Sequence, residues 1–283
     1  MRWIRPCAVI SLTVAAGVMG VAASGPGPVP AASTDEAAAL ETVLRTPPSR
    51  RDDWSTFRVG GDLFTISRRV SETEWACGPC RITTALPEGY PAPTPPGAIE
   101  LKRYPGVRRA EFSGNGNADR GMTMGFWPLF RHIQRHNIAM TSPVEVDYHG
   151  LVTDGDPSGG GEVGGAVGEA RGEERPGWTM SFLYRTKDLR EPGRDGNVVV
   201  QDAEPVTVVS IGVRGGYSES VVRAGVKILG DWLASQDEWS AAGEARAMYY
   251  NGPEMPRRDA WAEIQLPIRP RTPMSLGGQP AGR

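Results

Sequence analysis

The chain has 283 residues, 39% of them hydrophobic and 23% charged. That is the balance of a globular protein with one large domain or two small ones. Its 31 basic and 33 acidic residues leave a formal charge of −2, which gives no electrostatic footprint for nucleic acid.

The first residues read as an export signal. Arg2 and Arg5 form a short positive region, and Ala8 to Ala23 is apolar and small, ending Val21-Ala22-Ala23-Ser24. Such a segment is a secretory signal, here residues 1–23, with cleavage near Ala23 or a later site near Ala32. The mature protein is then periplasmic or secreted. Left uncleaved, the run would anchor the chain, although it falls slightly short of the about 20 residues of a membrane span; only that case brings membrane contact. Residues 24–34 are rich in Gly, Pro, Ala and Ser and read as a linker, and Asp35 to Arg45 as a short helix ended by Pro47 and Pro48. Residues 35–96 form an N-terminal extension. Within it, Phe57 to Val70 is expected to be a hairpin turning at Gly60-Gly61-Asp62.

The stretch Trp75-Ala76-Cys77-Gly78-Pro79-Cys80 resembles the active site of thioredoxin-type enzymes. A thiol–disulfide oxidoreductase using Cys77 and Cys80 is therefore the alternative function to weigh. That chemistry needs a buried strand before the first Cys and a long helix after the second. Upstream the chain is too charged for such a strand, and downstream Pro87, Pro91, Pro93, Pro95 and Pro96 exclude the helix. With the signal removed, two cysteines remain, and an even count in an oxidising compartment favours a structural Cys77–Cys80 disulfide. So small a loop would contribute about 2 kcal/mol.

From residue 97 the texture changes. Ile99 to Tyr104 alternates as a half-buried strand, and Gly114 to Gly125 reads as a loop. Phe126 to Asn137 is an expected helix, with Pro128 in its first turn and Phe126, Leu129, Phe130 and Ile133 on one stripe. Ala139 to Tyr148 reads as a strand. Residues 150–177 form a Gly-rich insertion whose Gly159-Gly160-Gly161-Glu162-Val163-Gly164 lacks the strand and helix that a dinucleotide site requires. Trp178 to Tyr184, Val198 to Val200 and Val206 to Val213 are strands. Ser218 caps a helix reaching about Ser235, Ala247 to Tyr250 and Ala260 to Ile268 are strands, and residues 271–283 form a tail. Strand, helix, strand, strand thus occurs twice, which describes an α+β protein of two similar halves, each with one helix, sharing one antiparallel sheet system.

Four short motifs carry a resemblance. Arg103-Tyr104-Pro105, Leu129-Phe130-Arg131-His132-Ile133, Met140-Thr141-Ser142-Pro143-Val144, and the late set Tyr250, Pro253, Arg257, Arg258 and Trp261 occur in this order. Residues 97–270 resemble the SOUL haem-binding protein family. The resemblance implies a distorted antiparallel β-barrel of two βαββ-like repeats with two main helices. It also implies non-enzymatic binding of haem or another tetrapyrrole on an apolar surface; a non-haem apolar ligand is the remaining alternative. The residues expected to line that surface are Phe126, Leu129, Phe130, Ile133, His136 and Met140, with Arg131 pairing a propionate. Trp127, Tyr250 and Trp261 are further aromatic candidates, and Arg257 and Arg258 further propionate partners. His136 or His132, one helical turn apart, could ligate haem iron; as a zinc pair they lack an evident third ligand. The sequence holds no nucleophile elbow or P-loop, and Glu145, Asp147 and Glu263 read as surface charge on strands.

Overall fold

The computed structural model describes residues 54–151, 177–252 and 254–271. The expected signal, linker and first helix lie outside the described residues, as do nearly all of the Gly-rich insertion and of the tail. Among the described residues, fourteen strands and two α-helices follow in the order β1 (Thr56–Gly61), β2 (Arg68–Arg69), β3 (Trp75–Cys77), β4 (Cys80–Ile82), β5 (Ala98–Tyr104), β6 (Val107–Gly114), α1 (Ala118–Arg135), β7 (Val144–Tyr148), β8 (Trp178–Leu183), β9 (Gly193–Asp195), β10 (Val198–Ala203), β11 (Val206–Arg214), α2 (Glu219–Ala234), β12 (Trp239–Ala241), β13 (Arg246–Tyr249) and β14 (Trp261–Pro270).

The large antiparallel sheet runs β1-β5-β11-β14-β13-β7-β8-β6-β10-β9, with β12 added beside β14. The order explains the internal repeat. β6, β8 and β7 group around α1 as β11, β14 and β13 group around α2, and β7 meets β13 in the middle. The leading strand of each half, β5 or β10, pairs with the other half. Each repeat is therefore ββαββ rather than βαββ. The expected barrel is not formed: the edges of β5 and β10 are taken by β1 and the short β9, so the sheet stays open. β1 also corrects the hairpin reading, because its partner is β5, while β2 joins β3 and β4 in a separate three-stranded sheet.

Alternation gives the sheet two faces. One register row is apolar, running Ile99, Ile211, Ile264, Ala247, Val146, Met180 and Phe112. The helices cover this face: Leu129 and Ile133 of α1, and Val222, Val226, Leu229 and Leu233 of α2, join it in one buried core. α2 starts where Ser218 accepts a hydrogen bond from the Val221 N–H, as its sequence signals.

α1 begins eight residues before the expected Phe126. Asn117 caps it, accepting from the Arg120 N–H. Glycines at 121 and 125 disfavour helix locally, but here they provide a flat surface for the Trp178 ring. A Cβ at Gly121 would stand 2.1 Å from that ring, one at Gly125 2.9 Å and one at Gly114 2.2 Å. Burial of a tryptophan against this cradle outweighs the propensity cost. Pro128 consequently lies inside the helix rather than in its first turn.

Candidate functional site

The outer side of α1 carries an aromatic group. Phe126 and Phe130, one turn apart, stack at 5.6 Å with planes 16° apart. Trp127 meets both edge-on at 5.8 and 6.1 Å and remains 52% exposed. Phe126 in turn rests on Phe182 of β8 at 5.3 Å. Leu129 and Ile133, expected on the same ligand surface, point into the core instead, and Met140 is half-buried against that core. The i, i+4 stripe is thus graded: Leu129 and Ile133 lie within the core, Phe126 and Phe130 are partly buried against it, and Trp127 beside them is the exposed ring. Tyr250 and Trp261 are buried in a separate cluster with Cys77, Cys80, Ile82 and Met248, and Arg257 and Arg258 are exposed.

A cleft of about 430 Å³ opens between the C-terminal half of α1 and the β9–β10 turn. Pro128, Arg131, Gln134 and Arg135 line one wall, and Asp195 to Val198 line the other. Arg131 and Arg135 are exposed and one helical turn apart, a spacing that presents two guanidinium forks along one edge.

Beneath this cleft the helix places His132 and His136 beside a hairpin 60 residues away in sequence. His132 is fully buried; its Nδ1 lies 2.6 Å from Asp195 Oδ2 and its Nε2 2.8 Å from the Tyr184 hydroxyl. His136 Nε2 reaches the same Asp195 oxygen at 3.1 Å, and the Arg190 guanidinium lies 2.7 Å from His136 Nδ1. Burial pushes the His132 imidazole below its ordinary range. The hydrogen bond from His132 holds the Asp195 carboxyl down at about 2. Sequence reasoning found the two histidines from their spacing. It could not find Asp195, Tyr184 or Arg190, because only tertiary folding brings them to the helix.

The opposite face of the sheet overturns the reading of the strand carboxylates as surface charge. Glu145 and Glu263 are buried. Glu263 is ringed by Lys102 Nζ at 2.8 Å, the Thr94 N–H at 2.7 Å, Ser210 Oγ at 2.6 Å, Tyr250 OH at 2.7 Å and Gln265 Nε2 at 2.8 Å. Burial works against its charge, but Lys102 and these donors outweigh it and hold the carboxyl at about 2. Glu145 pairs with Arg109 and, at 3.3 Å, with Arg246. Burial and then the Glu145 charge push Asp147 up to about 7. A polar row, Glu100, Ser210, Gln265, Arg246, Asp147 and Thr179, crosses the sheet in register. The proline-rich segment packs over it, with Thr94 bonded to Glu263 and Tyr90 edge-on to Tyr104 at 4.9 Å.

Cys77 and Cys80 are free, buried thiols facing one another across the β3–β4 turn, so the expected disulfide is absent. Directly opposed residues of an antiparallel pair hold their Cβ atoms about 4.5–5.5 Å apart, wider than the about 3.8 Å of a disulfide. Burial pushes the Cys80 thiol up to about 11 and Cys77 in the same direction. Thiolate, the attacking species in disulfide exchange, is thereby disfavoured.

An open antiparallel sheet built from two interlocked ββαββ halves, each with one covering helix, defines an α+β repeat domain. The SOUL heme-binding protein profile matches residues 92–266, well over half of the chain, and the protein belongs to that family. No curated protein matches the chain. Among solved structures, EcmrR in its complex with DNA and RPo is similar at 15% identity and a TM-score of 0.44, covering 60% of this chain; this chain spans only 57% of that one. A hydrolase from Listeria innocua is similar at 13% identity and a TM-score of 0.39, covering 62% of this chain and 93% of the other. SAV2435 bound to tetraphenylphosphonium is similar at 9% identity and a TM-score of 0.34, covering 60% and 97%.

Proposed function

We propose that this protein is an exported, non-enzymatic binder of haem or another tetrapyrrole, held along the outer face of α1. Membership of a heme-binding family supports the ligand class. The observation that carries the site is the half-exposed Trp127 beside the Phe126–Phe130 stack, with Arg131 and Arg135 bordering the adjoining cleft. Aromatic rings offer a flat apolar surface to a porphyrin face, and the Arg131 guanidinium matches a propionate, with Arg135 beside it held by Asp195 at 3.0 Å. Burying on the order of 400 Å² of porphyrin is worth roughly 10 kcal/mol at about 25 cal/mol per Å². Association costs about 4–15 kcal/mol, so the expected affinity is micromolar and owed to burial rather than to iron ligation.

Absorbance titration with haem and with metal-free protoporphyrin tests this. Both should bind similarly. Trp127→Ala should weaken both at least tenfold, as should Arg131→Glu combined with Arg135→Glu, while His136→Ala should change little. All three variants alter exposed side chains, and circular dichroism checks that each is folded; unchanged affinity in the first two would refute the site. Export is tested separately by sequencing the N-terminus of protein from the cell envelope, with a start expected between Ser24 and Ser33 and an intact Met1 as the refuting result.

A further inference from the structure

We propose that His132, His136 and Asp195 form a binding site for a single divalent transition ion of the zinc type, independent of any porphyrin. The ligand atoms of the three residues all lie within 4.8 Å of one another. Two imidazoles and one carboxylate are the donor set of open zinc sites, which leave a coordination position for water. They suit borderline ions rather than calcium or magnesium, which take oxygen ligands. The i, i+4 spacing on α1 puts both imidazoles on one side of the helix, and the third ligand missing from the sequence is supplied by the end of β9.

The surroundings are those of a built site. His132 is fully buried, and its Nε2 meets the Tyr184 hydroxyl at 2.8 Å. Such an outer partner fixes the ring and selects which nitrogen faces the metal. In the ion-free arrangement the Nδ1–H donates to Asp195 and the Tyr184 O–H donates to Nε2. With an ion on Nδ1, the ring proton resides on Nε2 and the Tyr184 oxygen accepts it, so the imidazole stays neutral and no proton is lost. Asp195 lines the solvent-open cleft, which gives the ion an entry path and the water ligand a place. The carboxylate oxygen now sits 2.6 and 3.1 Å from the two ring nitrogens. Tetrahedral ligands at about 2.0–2.1 Å from zinc stand about 3.3 Å apart, so Asp195 must retreat by about half an ångström and the two imidazole nitrogens, within 4.8 Å of each other, must come to the same spacing. It stands on the edge hairpin, just before Gly196 with a φ of +62°, where such a shift meets little resistance.

Two cations oppose the ion. Arg190 sits against His136 and Arg135 lies 3.0 Å from Asp195. Arg135 is largely solvated, so its repulsion is screened; Arg190 must swing aside. This makes a distinctive expectation: removing Arg190 should tighten metal binding, whereas in a purely structural ion-pair cluster its loss would leave metal uptake unchanged.

The test uses untagged, chelator-stripped protein. Zn²⁺ is titrated against a chromophoric chelator, and Co²⁺ uptake is followed by its visible absorption. One ion per chain is expected. His136→Ala and Asp195→Asn should each weaken binding at least tenfold and remove the Co²⁺ band, with the circular dichroism spectrum retained, and Arg190→Ala should strengthen binding several-fold. Zn²⁺ uptake that persists unchanged in Asp195→Asn would point to the cysteines or another locus and overturn the assignment, as would no saturable uptake by the wild type. Porphyrin titration of the same variants keeps this outcome separate from that of the tetrapyrrole reading.

Discussion

Glu263 is the most tightly held charge of the polar face, and replacing it by Gln tests whether that face is truly sealed. The carboxyl titrates at about 2 instead of the 4.5 of an exposed glutamate. At about 1.36 kcal/mol per pH unit, that difference contributes about 3 kcal/mol to stability at neutral pH. A second route gives a similar figure. Glu263→Gln leaves the Lys102 ammonium, fully buried, facing a neutral amide, and breaking a buried pair in this way costs about 3–5 kcal/mol. Lys102→Met should be milder, since the carboxylate keeps Thr94, Ser210, Tyr250 and Gln265 as donors. Urea unfolding followed by tryptophan fluorescence measures both. Because the folded-state value is depressed, the stabilisation is complete above about pH 4.5 and lost as pH falls towards 2, so the gap between wild type and Glu263→Gln should close over that window. A Glu263→Gln loss under about 1 kcal/mol, or a larger loss for Lys102→Met, would refute the sealed-face reasoning.

Two further outcomes are expected. Gly121→Ala should lower the melting temperature, costing about 1–3 kcal/mol by overpacking against Trp178, although helix propensity alone would credit it with about 1 kcal/mol; an unchanged or higher melting temperature would refute the cradle. Cys77 and Cys80 should react slowly with a thiol reagent in native protein and both react on unfolding without reductant; a mass 2 Da lower, or strong insulin reduction, would contradict the buried free thiols.

Much of the fold was legible because its signals are local. Trp178 to Leu183, Val206 to Arg214 and the Ser218-capped α2 follow from period-2 and period-3.6 patterns within a dozen residues. The candidate site was legible only in part. His132 and His136 declared themselves by spacing, and Trp127, Phe130 and Arg131 by residue type, but the exposure of Trp127 and the burial of Leu129 depend on which way α1 faces the sheet.

By itself the sequence determined the class, the duplicated order of elements and the family, since each rests on residues close together in the chain. Tertiary structure decided which carboxylates are buried. Alternation marks Glu145 and Glu263 as lying opposite the apolar face, but whether that second face meets water depends on what packs over it. The cover is the proline-rich segment around Tyr90 and Thr94, whose sequence shows no periodicity to announce its docking. The same holds for α1: Gly121 and Gly125 argue against helix until Trp178, more than 50 residues on, lies across them. Interactions between distant segments outweigh propensities of about 1 kcal/mol per residue, and no local window contains them.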